Sequence, residues 1–307
     1  VVFPGAGLTA FALAVAMLDP PGAYVEIEWL EIHIPLFLTS DYSKKVRVTT
    51  DSADGALSIV SRTTTQAEPW VQHVVARLPG EARGGALGAI APALPARAVD
   101  FTSSEHLALT CAVGLNYGPA YHAVESGWID GNQVLAHLRV PALLESELAT
   151  LHLHPALLDS AFQLITQLLS KDANSRKGLA FIPVKLGRIS FATASLPPCL
   201  AQVTLVRRSE HSLLADFTLY DADGRAVICI KDARFSGVRL HKERSGEIKL
   251  VDFVGVGKPY PANTRDVPVA DVRLAALVQQ CLEAVADDAA LARYAGEVDP
   301  LLDGLCT

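Results

Sequence analysis

Positive charge is in short supply in this chain: 26 Lys and Arg face 33 Asp and Glu in 307 residues, the formal net charge is −7, and no Lys/Arg-rich run occurs. Phosphate binding depends on clustered cations, so the composition argues against a nucleic-acid partner. Cysteine is sparse as well. Cys111, Cys199, Cys229, Cys281 and Cys306 form no CxxC pair and no Cys/His pair at metal spacing. An odd, dispersed set reads as reduced core thiols of a cytoplasmic protein and not as a disulfide framework. Membrane-crossing runs are missing too. Residues 1–18 are uncharged, but they lack a basic start, contain Pro4-Gly5 and are too short to span a bilayer. The first residue is not Met, and the expectation is an excised piece of a longer polypeptide.

Apolar residues, at 50%, are enough for a sizeable core, and the length suits one large domain with a tail. Pro4-Gly5-Ala6-Gly7 is a turn leading into a helix over residues 8–18. Leu8, Phe11, Leu13, Val15 and Met17 leave that helix almost no polar face, which predicts burial on most sides. Pro20-Pro21-Gly22 ends it. Strand patterns follow at 24–34, 45–50, 57–63 and 71–78. Residues 79–97, rich in Gly, Ala and Pro, read as a linker.

The order then recurs. His154-Pro155 leads into an apolar helix over 160–169, and strands follow at 179–184, 188–191, 200–206, 213–220 and 226–235. The last two are joined by the hairpin turn Asp221-Ala222-Asp223-Gly224. Turn, buried helix and antiparallel meander, repeated about 150 residues apart, predict an internally duplicated α+β fold; an unrepeated α+β domain is the alternative. Residues 241–265 read as an interdomain linker, and 272–285 as an amphipathic helix with Leu274, Leu277, Val278, Cys281 and Leu282 at helical spacing.

Three motifs carry chemistry. Asp159 and Gln163 are four residues apart and project from one helix face. At a helix start the dipole favours the charged carboxylate, while an enclosed apolar site raises its pKa. A buried carboxyl steered by an amide is suited to protonating a leaving hydroxyl. On spacing alone, a helix-capping Asp beside an ordinary polar residue fits better. Tyr117-Gly118-Pro119 is a tight turn holding an aromatic hydroxyl, and by itself it is only a turn. Pro4-Gly5-Ala6-Gly7 exposes backbone N–H groups at a helix start, where a polarised carbonyl oxygen can rest, although glycines before helices are common.

Taken together and in this order, the segments resemble the dehydratase domains of modular (type I) polyketide synthases. That family opens with an HxxxGxxxxP motif, continued here by Val1 to Gly7. It carries a YGP turn, matched by Tyr117-Gly118-Pro119, and an HPALLDxxxQ segment, matched without a gap from His154 to Gln163. Trp70-Val71-Gln72-His73 and Phe181-Ile182-Pro183-Val184 fall where the family has a Trp/His pair and an LPF-like strand. The likeness covers about residues 1–240 and departs from the family at Asn116 and at Tyr121-His122.

The resemblance implies a double hotdog, two antiparallel sheets each wrapped around a buried helix. Residues 1–78 form the first half, 79–97 a linker and 98–240 the second half. Residues 241–307 form an interdomain linker that weakly resembles the start of a C-methyltransferase region. The implied activity is dehydration of a β-hydroxyacyl thioester. Asp159 is the acid; Gln163, His154, Tyr117, Gly118, Pro119, Pro4 and Gly5 support it or bind substrate. The family's catalytic His falls nine residues before Pro4, outside this sequence. No metal or redox cofactor is implied. The substrate rides on the phosphopantetheine arm of an acyl carrier protein, with neighbouring synthase domains and a homodimeric partner expected. Added epimerase or pyran-forming activity, an inactive scaffold and a fatty-acid synthase dehydratase stay open as alternatives.

Overall fold

The structure, a computed structural model, describes residues 2–18, 22–51, 53–64, 69–79, 86–148, 150–170, 179–194 and 196–240. The chain divides into two compact units, Val1–Gly246 and Glu247–Thr307, and the described residues all belong to the first. The expectations for residues 241–307, and for 80–85 within the linker, lie outside the described residues.

Helix α1 (Gly5–Ala16) starts after Pro4, whose fixed φ and extended backbone suit a helix entry. Its buried side, Ala6, Leu8, Thr9, Ala12 and Leu13, meets the sheet, whereas Ala14 and Leu18 are exposed, so burial is less complete than the apolar composition predicts. Strands β1 (Tyr24–Ile32), β2 (Lys44–Thr50), β3 (Ala56–Thr63) and β4 (Val71–Arg77) wrap it in the order β2-β3-β4-β1. β3 alternates buried and less buried residues along its whole length, as period-two patterning demands of a sheet with one face on the core.

The second half opens with β5 (Phe101–Thr102) and α2 (Ser103–Ala112). After a 3-10 turn at Pro119–Tyr121 come β6 (Val124–Asp130) and β7 (Gln133–Leu138). Then follow α3 (Pro155–Gln163), α4 (Ile165–Ser170), β8 (Leu179–Ala192), β9 (Leu200–Arg208), β10 (Ser212–Tyr220) and β11 (Ala226–Arg239). β5 to β7, α2 and the helix break between α3 and α4 are additions to the sequence-based expectation. The turn between β10 and β11 is as expected, with Asp221 Oδ1 accepting from the N–H groups of Asp223 and Arg225 at 3.0 and 2.9 Å.

Two expectations change. The helix at 160–169 is two helices: it starts five residues earlier, at Pro155, and breaks at Leu164, whose N–H turns to the Ala161 carbonyl at 3.1 Å in a tighter 3-10 bond. The strands at 179–184 and 188–191 are one, because β8 is held on both sides, by β1 and by β11. Pro183 lies beyond the end of β1 pairing, at Glu31 opposite Lys185, and beside a register shift in the β11 ladder, where irregular pairing tolerates a missing N–H.

The two hotdog sheets are also not separate. β1 pairs antiparallel with β8, fusing the halves into one eleven-stranded sheet of order β2-β3-β4-β1-β8-β11-β10-β9-β7-β6-β5. The double hotdog is thus one sheet curled around two helices. One core runs through both halves, with Leu8, Leu13, Ile27 and Ile59 continuous with Leu158, Ile189 and Phe217. Phe162, Phe217 and Phe235 pack with ring centres 5.1 to 5.7 Å apart, anchoring α3 on the sheet. Among the described cysteines, Cys229 is buried but Cys111 is exposed, so not all are core thiols.

Candidate active site

α3 sets the position of the acid. His154 precedes it with extended backbone. Its Nδ1 accepts the Ala156 N–H at 3.1 Å, and its Nε2 meets Glu147 Oε2 at 3.2 Å. This imidazole therefore does the work usually left to Ser, Thr, Asp or Asn at a helix start, and Pro155 fills the first helical position. His154 is buried and does not line the cavity described next. Asp159 falls in the middle of α3 and not in its first turn, so it is no helix cap.

A cavity of about 480 Å³ opens where the halves meet. Pro4 just before α1, Gly5 of α1, Phe181 and Pro183 of β8, and Asp159 and Gln163 of α3 share its wall. Most of the remaining wall is apolar, and the volume suits a small organic ligand. Gly5 is required for the close approach: a Cβ there would stand 2.8 Å from Pro183 Cγ and 3.0 Å from Ile32 Cδ1. The Gly5 N–H sits in the first turn of α1, where a helix supplies no acceptor, and Gly5 lines the cavity.

Asp159 is only 7% exposed, and burial pushes its carboxyl up to about 6, against hydrogen bonds from Gln163 and Tyr117 that favour the charged form. Gln163 Nε2 donates to Asp159 Oδ2 at 3.3 Å. The Tyr117 hydroxyl is held well above its ordinary range, first by burial and then by Asp159, so it stays a donor to the carboxyl. The YGP turn acts through its far end. Gly114, at φ 89, closes α2, and the chain then reaches Tyr117 and the turn at Pro119–Tyr121. The Tyr121 carbonyl accepts from Ser160 Oγ at 3.0 Å and from Gln163 Nε2 at 3.2 Å, docking the turn on α3. Gly118 and Pro119 are exposed and shape the turn; neither faces the cavity.

The geometry thus brings Asp159, Gln163, Tyr117, Pro4 and Gly5 together and leaves His154, Gly118 and Pro119 behind them. His73 is remote: it is bonded to Ser61 Oγ at 2.7 Å and to the Ile34 carbonyl at 2.9 Å. Trp70 lies under Arg47 and Arg62. Residues that the sequence did not single out also belong here. His106 bonds the amide of Gln163, Gln167 bonds His106 in turn, and Ser160 shares the Tyr121 carbonyl with Gln163; the sequence signal was a pair of glutamines, Gln163 and Gln167, four residues apart in an apolar stretch. Among the described residues no group of His, Cys, Asp and Glu is placed to hold a metal.

One apolar cavity, lying between two helices embraced by a curled sheet, thus carries a buried carboxyl with a raised pKa and the start of a helix. Residues 102–245 match the family model "Polyketide synthase dehydratase N-terminal domain". Mycoketide-CoA synthase of Mycobacterium tuberculosis is 28% identical over 221 residues, and polyketide synthase PksM of Bacillus subtilis is 26% identical over 220. These alignments take in 70% and 68% of this chain but only 5% of each relative. In structure, the dehydratase domain from the CurJ module of curacin polyketide synthase superposes with a TM-score of 0.68 at 21% identity, covering 78% of this chain and 84% of that one. A trans-AT polyketide synthase dehydratase domain from Brevibacillus brevis gives 0.62 at 19%, covering 77% and 86%. The chain is thus similar to polyketide synthase dehydratases, with the family model falling on its second half, and it shares the double-hotdog fold of the solved dehydratase domains.

Proposed function

We propose that this domain dehydrates a β-hydroxyacyl chain, carried as a thioester on the phosphopantetheine arm of an acyl carrier protein, during polyketide assembly. The observation that carries the reading is Asp159, a carboxyl with a pKa near 6 on an apolar cavity, gripped by Gln163 and Tyr117. A group so poised gives up its proton near neutral pH and recovers it readily. The thioester carbonyl oxygen rests on the N–H groups at the start of α1. A histidine, expected from the family motif nine residues before Pro4, takes the α-proton. Electrons of that C–H bond form the α,β double bond as the β C–O bond breaks, and Asp159 protonates the departing hydroxyl, which leaves as water. His-to-Phe variants of the CurJ and CurK dehydratases are described as inactive, which supports a histidine partner.

The curated relatives are whole polyketide synthases, so neighbouring synthase domains surround this one. Docking to the carrier protein, a homodimeric assembly and a cytoplasmic location extend the same proposal. No helix among the described residues is long and apolar enough to cross a membrane. No metal or redox cofactor enters the reaction as written. The test is mass spectrometry of a carrier-bound β-hydroxyacyl chain incubated with the polypeptide extended upstream by about 40 residues, past the position nine residues before Pro4 where the family motif has its histidine, the candidate general base. Loss of one water is expected. An unchanged mass across several chain lengths would leave a scaffold. A changed α-methyl stereocentre or a pyran ring at that product mass would assign an added activity.

A further inference from the structure

Behind Gln163 lies a buried chain of polar groups that the reaction above does not use. His106, on α2, is 1% exposed. Its Nε2 is 3.2 Å from Gln163 Oε1, and Gln167 Nε2, on α4, is 3.1 Å from its Nδ1. Gln163 and Gln167 are themselves 2% and 4% exposed. The direction of every bond in this chain follows from one atom. The Tyr121 carbonyl can only accept, and Gln163 Nε2 is 3.2 Å from it, so the Gln163 amide has its NH2 toward Tyr121 and Asp159 and its Oε1 toward His106. Oε1 can only accept, which requires a proton on His106 Nε2. Burial keeps the ring neutral by pushing its pKa down to about 4, so Nδ1 is bare and must accept, and Gln167 offers it an N–H.

We infer that His106 is a positioning residue: held by Gln167 as the neutral Nε2–H tautomer, it locks the Gln163 amide so that its NH2 always faces the Asp159 carboxyl. The role of Asp159 as acid rests on the function proposed above, but the lock is a property of the folded protein and can be tested without turnover. Remove the His106 donor and Oε1 is left buried without a partner. The amide is then held only at its NH2 end, by Tyr121 and Asp159, and the side chain can swing to a rotamer that gives Oε1 a partner and takes the donor away from the carboxyl. The other groups facing these two are few. The Phe101 ring packs beside His106 at 6.1 Å, and Tyr117 and Tyr121 are the titratable side chains beside Asp159, both pushed up by burial.

The experiment combines NMR and kinetics on the upstream-extended polypeptide. In the wild type, the ring nitrogens of His106 should resonate as a protonated Nε2 and a bare Nδ1 at pH 7. His106→Leu should raise the carboxyl titration midpoint of Asp159 by about one pH unit, the worth of one hydrogen bond to a charged group. It should lower kcat about tenfold with little change in KM. His106→Gln, which can place an amide N–H where Nε2 stood, should restore both, a recovery that a merely space-filling residue would not show. Should the leucine variant fail to fold, Gln167→Met reads the same lock, because it frees Nδ1 and should mix the two tautomers. An unmoved Asp159 midpoint in a folded His106→Leu protein, or a wild-type ring protonated at Nδ1, overturns the inference. A shifted midpoint in a protein that dehydrates nothing, wild type included, leaves the lock standing and removes the proposed reaction instead.

Discussion

At the scale of single residues, two buried groups titrate in opposite senses. The Asp159 carboxyl, ordinarily at 3.8, is raised to about 6. Between those values the folded protein holds a proton that the unfolded chain has released. The stability contribution of Asp159 therefore falls as pH rises, and above pH 6 burial of the charge costs roughly 3 kcal/mol. His106, ordinarily at 6.5, is lowered to about 4. There the unfolded chain takes up the proton first, so its contribution falls as pH drops from 6.5 to 4, by roughly the same 3 kcal/mol. In the wild type the two slopes nearly cancel. Asp159→Asn keeps acceptors for Gln163 and Tyr117 while abolishing one slope, so urea titrations should show it more stable than wild type at pH 8 and equal to it below pH 4. A constant difference at all pH values would mean that the carboxyl is not buried as charge. The same substitution should lower the dehydration rate by about 10² to 10⁴, the usual contribution of a positioned acid. In the active wild type, kcat/KM should fall about tenfold per unit well above pH 6, where free Asp159 has lost the proton it must give.

At the scale of elements, the Asp159 carboxyl is carried by α3, and the start of α1 lines the same cavity. Losing a helix cap costs about 1 kcal/mol, so His154→Ala should lower the urea midpoint by that worth without changing the slope. Gly5→Ala should do more to the cavity than to the fold. Its Cβ would overlap Pro183 Cγ at 2.8 Å, and a proline ring yields little. Overpacking of this kind costs about 1 to 3 kcal/mol, and KM for the acyl chain should rise as the wall shifts; an unchanged KM would place the thioester elsewhere.

These elements also show what the sequence discloses. α1 was legible as an apolar run bounded by Pro4-Gly5 and Pro20-Pro21-Gly22, and the strands of the first half as short apolar runs between turns. The turn at Asp221 was legible because Asp and Gly impose it. α2 was not, since Ser103 to Ala112 has only two buried residues, His106 and Thr110, and no apolar stripe. Its one local sign was a capping box, in which Glu105 accepts the Thr102 N–H at 2.7 Å. The helix break at Leu164 and the continuity of β8 come from packing partners far along the chain, which no local pattern contains. In the same way Asp159, Gln163 and Tyr117 were recognisable as motifs, while His106 became visible only when α2 and α4 were brought together.

At the scale of the whole molecule, the seam between β1 and β8 decides whether two hotdogs behave as two domains or as one. Ile27 and Ile189 face each other across it, both fully buried, and the core passes through them from α1 to the aromatic cluster under α3. A continuous sheet with a shared core gives neither half a complete set of partners, so neither should outlast the other on unfolding. The tryptophans provide the probes: Trp29 and Trp70 lie in the first half and Trp128 in the second. With Trp29→Phe in both proteins, one keeping Trp70 and the other Trp128, urea curves followed by fluorescence should superimpose. Ile27→Ala removes a buried side chain at the seam and should cost about 2 to 5 kcal/mol. Because the loss falls on an element shared by both halves, the Trp70 and Trp128 midpoints should drop together and by the same amount. If only the Trp70 curve moves, the second half folds by itself. The cavity between α1 and α3 would then be a contact between independent domains, opened to water as soon as the first half melts.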